Sequence, residues 1–197
     1  MADRYENFAH LARHEREGRD YRIHAVARAS PVLVLAPHGG FMEPGTHLIA
    51  AFIAGERHAC YAFETLARRD RAKSMHITSA RFDEPRALAL LATAEIAIGV
   101  HGRKDKEDPH AIWVGGLHEP LRDSIARELS VAGVDTKIVG DGHPLAGRDP
   151  QNICNRGRRG AGVQLEMPAR IRQRIVSEHG MRNLFVAAIQ AAISAHV

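Results

Sequence analysis

Val32-Leu33-Val34-Leu35-Ala36-Pro37-His38-Gly39-Gly40 is the stretch from which the rest of the chain is read. The apolar run from Val32 to Ala36 follows Pro31 and does not alternate, so it suits a strand buried on both faces, with Pro37-His38-Gly39-Gly40 expected to break it. Sheets of such strands are covered by helices and place their ligand sites just beyond the carboxyl ends of the strands. Three further strand-like runs also end on a polar residue. Met75-His76-Ile77-Thr78 leads into Ser79, Ile96-Ala97-Ile98-Gly99-Val100 into His101, and Gly162-Val163-Gln164-Leu165 into Glu166. One rim of a sheet is therefore expected to collect two imidazoles and several carboxylates.

Working outward, residues 6–17 predict a short amphipathic helix closed by Gly18, and Tyr21–Val26 alternates as a strand with one wet face. Thr46–Ala54 predicts a helix that opens near Pro44-Gly45-Thr46 and stops at Gly55. Further strands are expected at 59–63, 75–79, 95–100, 111–115, 134–139 and 161–165, and helices at 84–93, 118–132, 168–178 and 181–195. This alternation argues for α/β layers. Residues 140–160 show no apolar period, and a loop of about 20 residues inside a compact domain is usually functional. At 197 residues, with no linker or repeat, one domain spanning 1–197 is expected.

The chain is 45% apolar and 25% charged, the balance of a globular protein, and no apolar run approaches bilayer length. Met1 to Asn7 is acidic and polar and does not read as a secretory leader, so a cytoplasmic protein is expected. Cys60 and Cys154 lack metal or redox spacing and are read as free thiols. The net charge is +4, and 23 of the 27 basic residues are arginines, a side chain suited to carboxylates and phosphates. Seven arginines lie between Arg148 and Arg174 against Asp149 and Glu166. They form either a solvated basic face or a surface for an anionic ligand. A nucleic-acid binding module is the weaker reading, because Trp113 is the only tryptophan and 5% of residues are aromatic, which supplies stacking poorly.

His38 and Glu43 stand five positions apart across Gly39-Gly40, whose backbone freedom lets both side chains converge. His101 would complete a two-histidine, one-carboxylate set of the kind catalytic zinc uses, with one position left for water. Glu166, on the same rim, is the candidate general base. Arg81, beyond Ser79, and Asn155-Arg156 supply donors for a substrate carboxylate or a developing oxyanion. Each has a plainer alternative. His38 and His101 can be hydrogen-bonded strand exits, Glu43 and Glu166 can favour the starts of the helices that follow, and Asn155-Arg156-Gly157 can be a turn.

Six segments in order resemble the poly-γ-glutamate hydrolase family of bacteriophages and bacterial genomes, over about residues 5 to 175. They are Ala36-Pro37-His38-Gly39-Gly40 with Glu43-Pro44-Gly45-Thr46, His76-Ile77-Thr78-Ser79 with Phe82-Asp83-Glu84-Pro85, and Val100-His101-Gly102. Val114-Gly115-Gly116-Leu117, Asn152-Ile153-Cys154-Asn155-Arg156-Gly157 and Gly162-Val163-Gln164-Leu165-Glu166 complete the set. The resemblance implies a single-domain, three-layer α/β/α fold with an open mixed β-sheet, carboxypeptidase-like, carrying one zinc and cleaving γ-amide links in an anionic capsule polymer. It implies His38, Glu43 and His101 as zinc ligands, Glu166 as general base and the Asn155-Arg156 pair toward the substrate carboxylate; in the mechanism that follows, Arg81 is expected on the oxyanion and Ser79, on the same rim, toward the substrate. The spacing from His38 to Glu43 is two residues longer than the His-x-x-Glu of digestive carboxypeptidases. A zinc amidohydrolase or deacylase acting on a small acidic amide, or on a peptidoglycan γ-glutamyl link, is the alternative within enzymes. A monomer is expected, without a membrane partner, and lysis would carry a leaderless product to an external capsule.

Overall fold

Val32–Gly40 forms strand β2 of the computed structural model, which describes residues 3–197. All but its last residue are buried, as a strand covered on both faces requires. The strand does not break at Pro37. It runs on to Gly40 because one extra residue between Ala36 and Gly39 is absorbed as a bulge, the pairing Ala36 with Ala62 being followed by Gly39 with Glu64.

The other elements, in chain order, are α1 (Phe8–Ala12), β1 (Tyr21–Val26), α2 (Thr46–Ala54), β3 (Ala59–Thr65), α3 (Arg69–Ser74), α4 (Pro85–Leu91), β4 (Ile96–Arg103) and β5 (Ile112–Gly115). They continue with α5 (Glu119–Val131), β6 (Thr136–Ile138), β7 (Val163–Pro168), α6 (Ala169–Ser177) and α7 (His179–Ser194), and a 3-10 turn lies at Ile153–Asn155. The strands form one seven-stranded mixed sheet in the order β1-β3-β2-β4-β7-β5-β6. β3, β2, β4 and β7 run parallel, β1 is antiparallel to β3, and β5 is antiparallel to β7 and parallel to β6. The chain leaves β2 toward β3 and leaves β4 toward β5, on opposite sides. The carboxyl ends of β2 and β4 therefore flank a topological switch point, where such sheets open a crevice.

Val34, Ala36, Ile98, Val100, Val163 and Leu165 face one way and meet Ile49, Ile125, Ile175 and Ile189 of α2, α5, α6 and α7. Leu33, Leu35, Tyr61, Phe63 and Ala97 face the other way, under Leu11, Met75, Phe82, Leu91 and Ile153. The result is three layers, α/β/α, in which each fully buried aliphatic or aromatic side chain contributes about 1.5–3 kcal/mol.

Two further sequence expectations fail here. Residues 75–79 are not a strand but an irregular link after α3, a helix the sequence reading does not contain. Met75 and Ile77 bury their side chains in the cluster with Phe82, so their apolar alternation is satisfied by packing and not by strand pairing. The helix expected over 6–17 shortens to Phe8–Ala12, capped by Asn7, whose side chain accepts from the His10 amide at 2.8 Å.

Candidate metal centre

The bulge in β2 decides where His38 points. Val34 and Ala36 face α2, and strict alternation would send His38 after them. The extra residue resets the alternation, and His38 lies instead on the opposite face, beside Phe82, with its Nε2 donating to the Ile77 carbonyl at 2.8 Å. A carbonyl only accepts, so Nε2 carries a proton, and Nδ1 is the atom whose lone pair the neutral ring can offer. That Nδ1 is buried without a hydrogen-bond partner and stands 3.3 Å from Glu43 Oε1. Glu43 is brought back to His38 by its own backbone: its amide donates to the His38 carbonyl at 2.9 Å, closing the loop. Gly40, at φ 68, makes that turn possible.

His101 arrives from β4, its Nδ1 3.9 Å from Glu43 Oε2 and its ring centroid 5.1 Å from that of His38. The Gly102 amide donates to Glu43 Oε2 at 2.7 Å and fixes the carboxylate between the two rings. One ligand atom from each of His38, Glu43 and His101 lies within 4.8 Å of the others. Burial pushes His101 down to about 4, with His38 and His76 adding to the effect, so its imidazole is neutral at pH 7. Burial also opposes charge on His38 and Glu43. Each offsets it in the other, His38 being raised by Glu43 and Glu43 lowered chiefly by His38. Two imidazole lone pairs and an ionised carboxylate on converging atoms are the donor set a catalytic divalent cation of the zinc type takes.

Glu166 pairs in register with His101 on the adjacent parallel strand β7. Its Oε1 accepts from Gln164 Nε2 at 2.9 Å, and Gln164 is itself held by Asn152 Nδ2 at 2.8 Å. Burial raises the Glu166 carboxyl well above the usual range, and Glu43 adds to this, while Arg103, Arg172 and Gln164 pull it back. His38, Glu43, His101 and Glu166 all open on a cleft of about 750 Å³, with His76, Thr78 and Ser79 on one wall and the loop from Asp141 to Asp149 on the other.

Ser79 thus lines the cleft, whereas Arg81, Asn155 and Arg156 do not. Arg81 is half-exposed and bound to Asp3 at 2.5 Å. Arg156 donates to the Phe82 carbonyl at 2.8 Å. Asn155 spends its amide almost wholly on backbone: Oδ1 accepts from the Leu117 and Gly162 amides and from the Cys154 thiol, and Nδ2 donates to Gly147 and Asp149 at 2.7 and 2.9 Å. It therefore shapes the wall of the cleft from behind. The arginines from 148 to 174 are held by separate partners, and of them only Arg148 lines the cleft. Arg148 pairs with Glu119, Arg158 with Glu95 and Arg174 with Glu178, and Arg172 is buried.

Two cleft residues assigned no role in the sequence reading carry a signal there. Arg103 and Gln164 each stand two positions from a rim residue, His101 and Glu166, and so share its face. Arg103 is buried, lies 4.0 Å over the Trp113 ring and has an unpartnered Nε. His76 lies against His38 at 4.3 Å between ring centroids, the two rings tilted by 34°.

A buried two-histidine, one-glutamate set on the carboxyl rim of a mixed α/β sheet, beside a shielded glutamate and open to a cleft, defines the class: a three-layer α/β/α domain with a candidate centre for a divalent cation. Within that class the chain belongs to the poly-gamma-glutamate hydrolase family, whose sequence profile matches residues 5–190. UPF0714 protein YndL of Bacillus subtilis (strain 168) is 37% identical over 171 residues, 87% of this chain and 66% of its own length. The SPbeta prophage-derived UPF0714 protein YoqZ of the same organism is 37% identical over 166 residues, 84% of this chain and 59% of its own length. The chain thus spans about two thirds or less of these curated relatives. A bacteriophage poly-gamma-glutamate hydrolase structure superposes with a TM-score of 0.89 at 28% identity, covering 99% of this chain and 98% of that one. A zinc-free YndL structure superposes at 0.87 and 29% identity over the full length of both chains.

Proposed function

We propose that this protein is a zinc-dependent hydrolase that cleaves γ-glutamyl amide bonds of poly-γ-glutamate. The observation that carries the reading is the convergence of His38, Glu43 and His101 within 4.8 Å beside Glu166. It is supported by the family, by the substrate named for the bacteriophage neighbour and by the zinc named for YndL. His38 Nδ1, Glu43 and His101 Nδ1 would hold one zinc, which when bound supplies Lewis-acid activation of water and of the amide carbonyl. Ile77 and Gly102 orient this set, the first by fixing the His38 tautomer and the second by holding Glu43. Glu166 takes the proton of the attacking water and returns it to the departing amine. Its raised carboxyl moves in the direction a base working near neutral pH needs. Arg103 and Lys104 line the cleft and give cationic contacts for a polymer that carries a free carboxylate on every residue. The domain spans residues 1–197, and its substrate is an anionic capsule polymer.

Elemental analysis of protein purified without added metal, native and His38→Ala/His101→Ala, tests the site. About one zinc per native chain, absent from the variant, is expected. No zinc in either, with none taken up on titration, overturns the reading. A substrate panel then separates the polymer from small acidic amides, with release of short γ-glutamyl oligomers as the expected result.

A further inference from the structure

Arg172 projects from α6 into the protein and is 5% exposed. A buried guanidinium is costly unless its donors and its charge are answered. Its donors go to three main-chain carbonyls: Nε to Met167 at 3.1 Å, one terminal nitrogen to Pro44 at 2.7 Å and the other to Arg103 at 3.4 Å. Met167 follows Glu166, Pro44 follows Glu43, and Arg103 lies two positions beyond His101. One side chain thus binds all three backbone segments that bring Glu43, His101 and Glu166 to the cleft. The charge is answered by carboxylates of those same segments, since burial disfavours the Arg172 cation and Glu43 is the main group that favours it, with Asp105 and Glu166 adding to it.

Gly102 completes the arrangement. A Cβ there would stand 2.5 Å from Arg172 Cζ, so only glycine lets the guanidinium lie flat against β4. The amide of the same glycine donates to Glu43 Oε2. The guanidinium, the Gly102 backbone and the Glu43 carboxylate form one connected unit behind the metal ligands, although α6 contributes no residue to the lining of the cleft.

We propose that Arg172 is a positioning residue: it locks the ends of β2, β4 and β7 in the spacing the His38–Glu43–His101 cluster needs, and so sets the affinity of that cluster for its cation. This rests on the metal reading above, and the test separates the two. Zinc affinity is measured by chelator competition on the native chain, Arg172→Lys, Arg172→Met and Gly102→Ala, and amide hydrogen exchange on the same four proteins without metal. Arg172→Met is expected to weaken zinc binding by about 10- to 100-fold, the range for lost outer-shell partners. Arg172→Lys, which keeps the charge but not the three-way fork, should recover part of it. Gly102→Ala displaces the guanidinium without removing it and should give the same loss. Without metal, exchange at Gly102 should accelerate at least about 10-fold in Arg172→Met while Ile96 to Val100 stay protected.

Native zinc affinity and native Gly102 exchange in a folded Arg172→Met protein overturn the proposal. If Arg172→Met does not fold, Arg172→Lys and Gly102→Ala carry the same comparison, and native values in both overturn it. If the native chain itself takes up no zinc, the functional reading fails while the exchange result still decides whether Arg172 holds the rim together.

Discussion

His101 and Glu166 are register partners on the adjacent parallel strands β4 and β7. Partners in a parallel pair point to the same side of the sheet about 4.8 Å apart, so the second histidine of the cluster and the shielded glutamate are neighbours by strand pairing. Their separation does not depend on a loop. Removing the carboxylate charge at Glu166 should therefore leave the cluster intact. Glu166→Gln is expected to take up zinc at native affinity and to lose about 10²- to 10⁴-fold in kcat, the range for a lost acid–base group. Near-native turnover in that variant would remove Glu166 from the base role.

Asn155 is 2% exposed, and four of its five amide hydrogen bonds run to main-chain groups, the fifth being accepted from the Cys154 thiol. Asn155→Ala should then cost about 3 kcal/mol or more, because buried amides at Leu117 and Gly162 and the carbonyl of Gly147 lose their partner. Urea unfolding measures this. A KM rise in a variant of native stability would instead return Asn155 to direct substrate contact.

The sequence makes part of the site legible and hides the rest for identifiable reasons. His101 with Arg103, and Glu166 with Gln164, follow from period-two alternation once β4 and β7 are recognised. The orientation of His38 does not, because the bulge is an offset against β3 and exists only in the pairing. Met75 to Thr78 has the apolar alternation of a strand, and nothing local says that Phe82 will fold over it. The seven arginines from 148 to 174 look like one patch in the chain, yet four sit in the loop before β7 and three on α6, where Arg172 is buried. Arg172 and Asp3 leave no signal at all, since their partners at Pro44 and His76 lie more than seventy positions away.

Gly40 is the hinge between β2 and the turn that returns Glu43 to His38. It holds φ 68, and a Cβ there would meet the Thr65 carbonyl oxygen at 2.1 Å and the Thr65 nitrogen at 2.6 Å. Both contacts are to backbone of β3, which cannot swing aside as a side chain can. Gly40→Ala should destabilise the protein by about 3 kcal/mol or more, through left-handed strain and overlap together. A melting temperature within about 2 °C of native would show that the bulge relaxes at no cost.

Asp3 ties the amino-terminal end of the described chain to the wall of the cleft. Its carboxylate accepts from His76 Nδ1 and from the Thr78 amide, each at 2.7 Å, and pairs with Arg81 at 2.5 Å. Burial alone would raise this carboxyl, but the His76 and Thr78 donors outweigh it and hold the group at about 2, below its ordinary 3.8. A carboxyl depressed by folding stabilises the native state fully above its unfolded value and loses that contribution as the pH falls through the folded one. The gap in unfolding free energy between the native protein and Asp3→Asn should therefore be present at pH 5 and above, reaching about 1 kcal/mol once solvent screening is allowed for, and close between pH 4 and pH 2. Because His76 packs against His38, the variant should also loosen the His76 to Ser79 wall and lower kcat/KM at neutral pH. Urea titrations of both proteins across this range supply the measurement. A gap that stays constant down to pH 2 would mean that the Asp3 contacts hold the loop without the carboxylate charge.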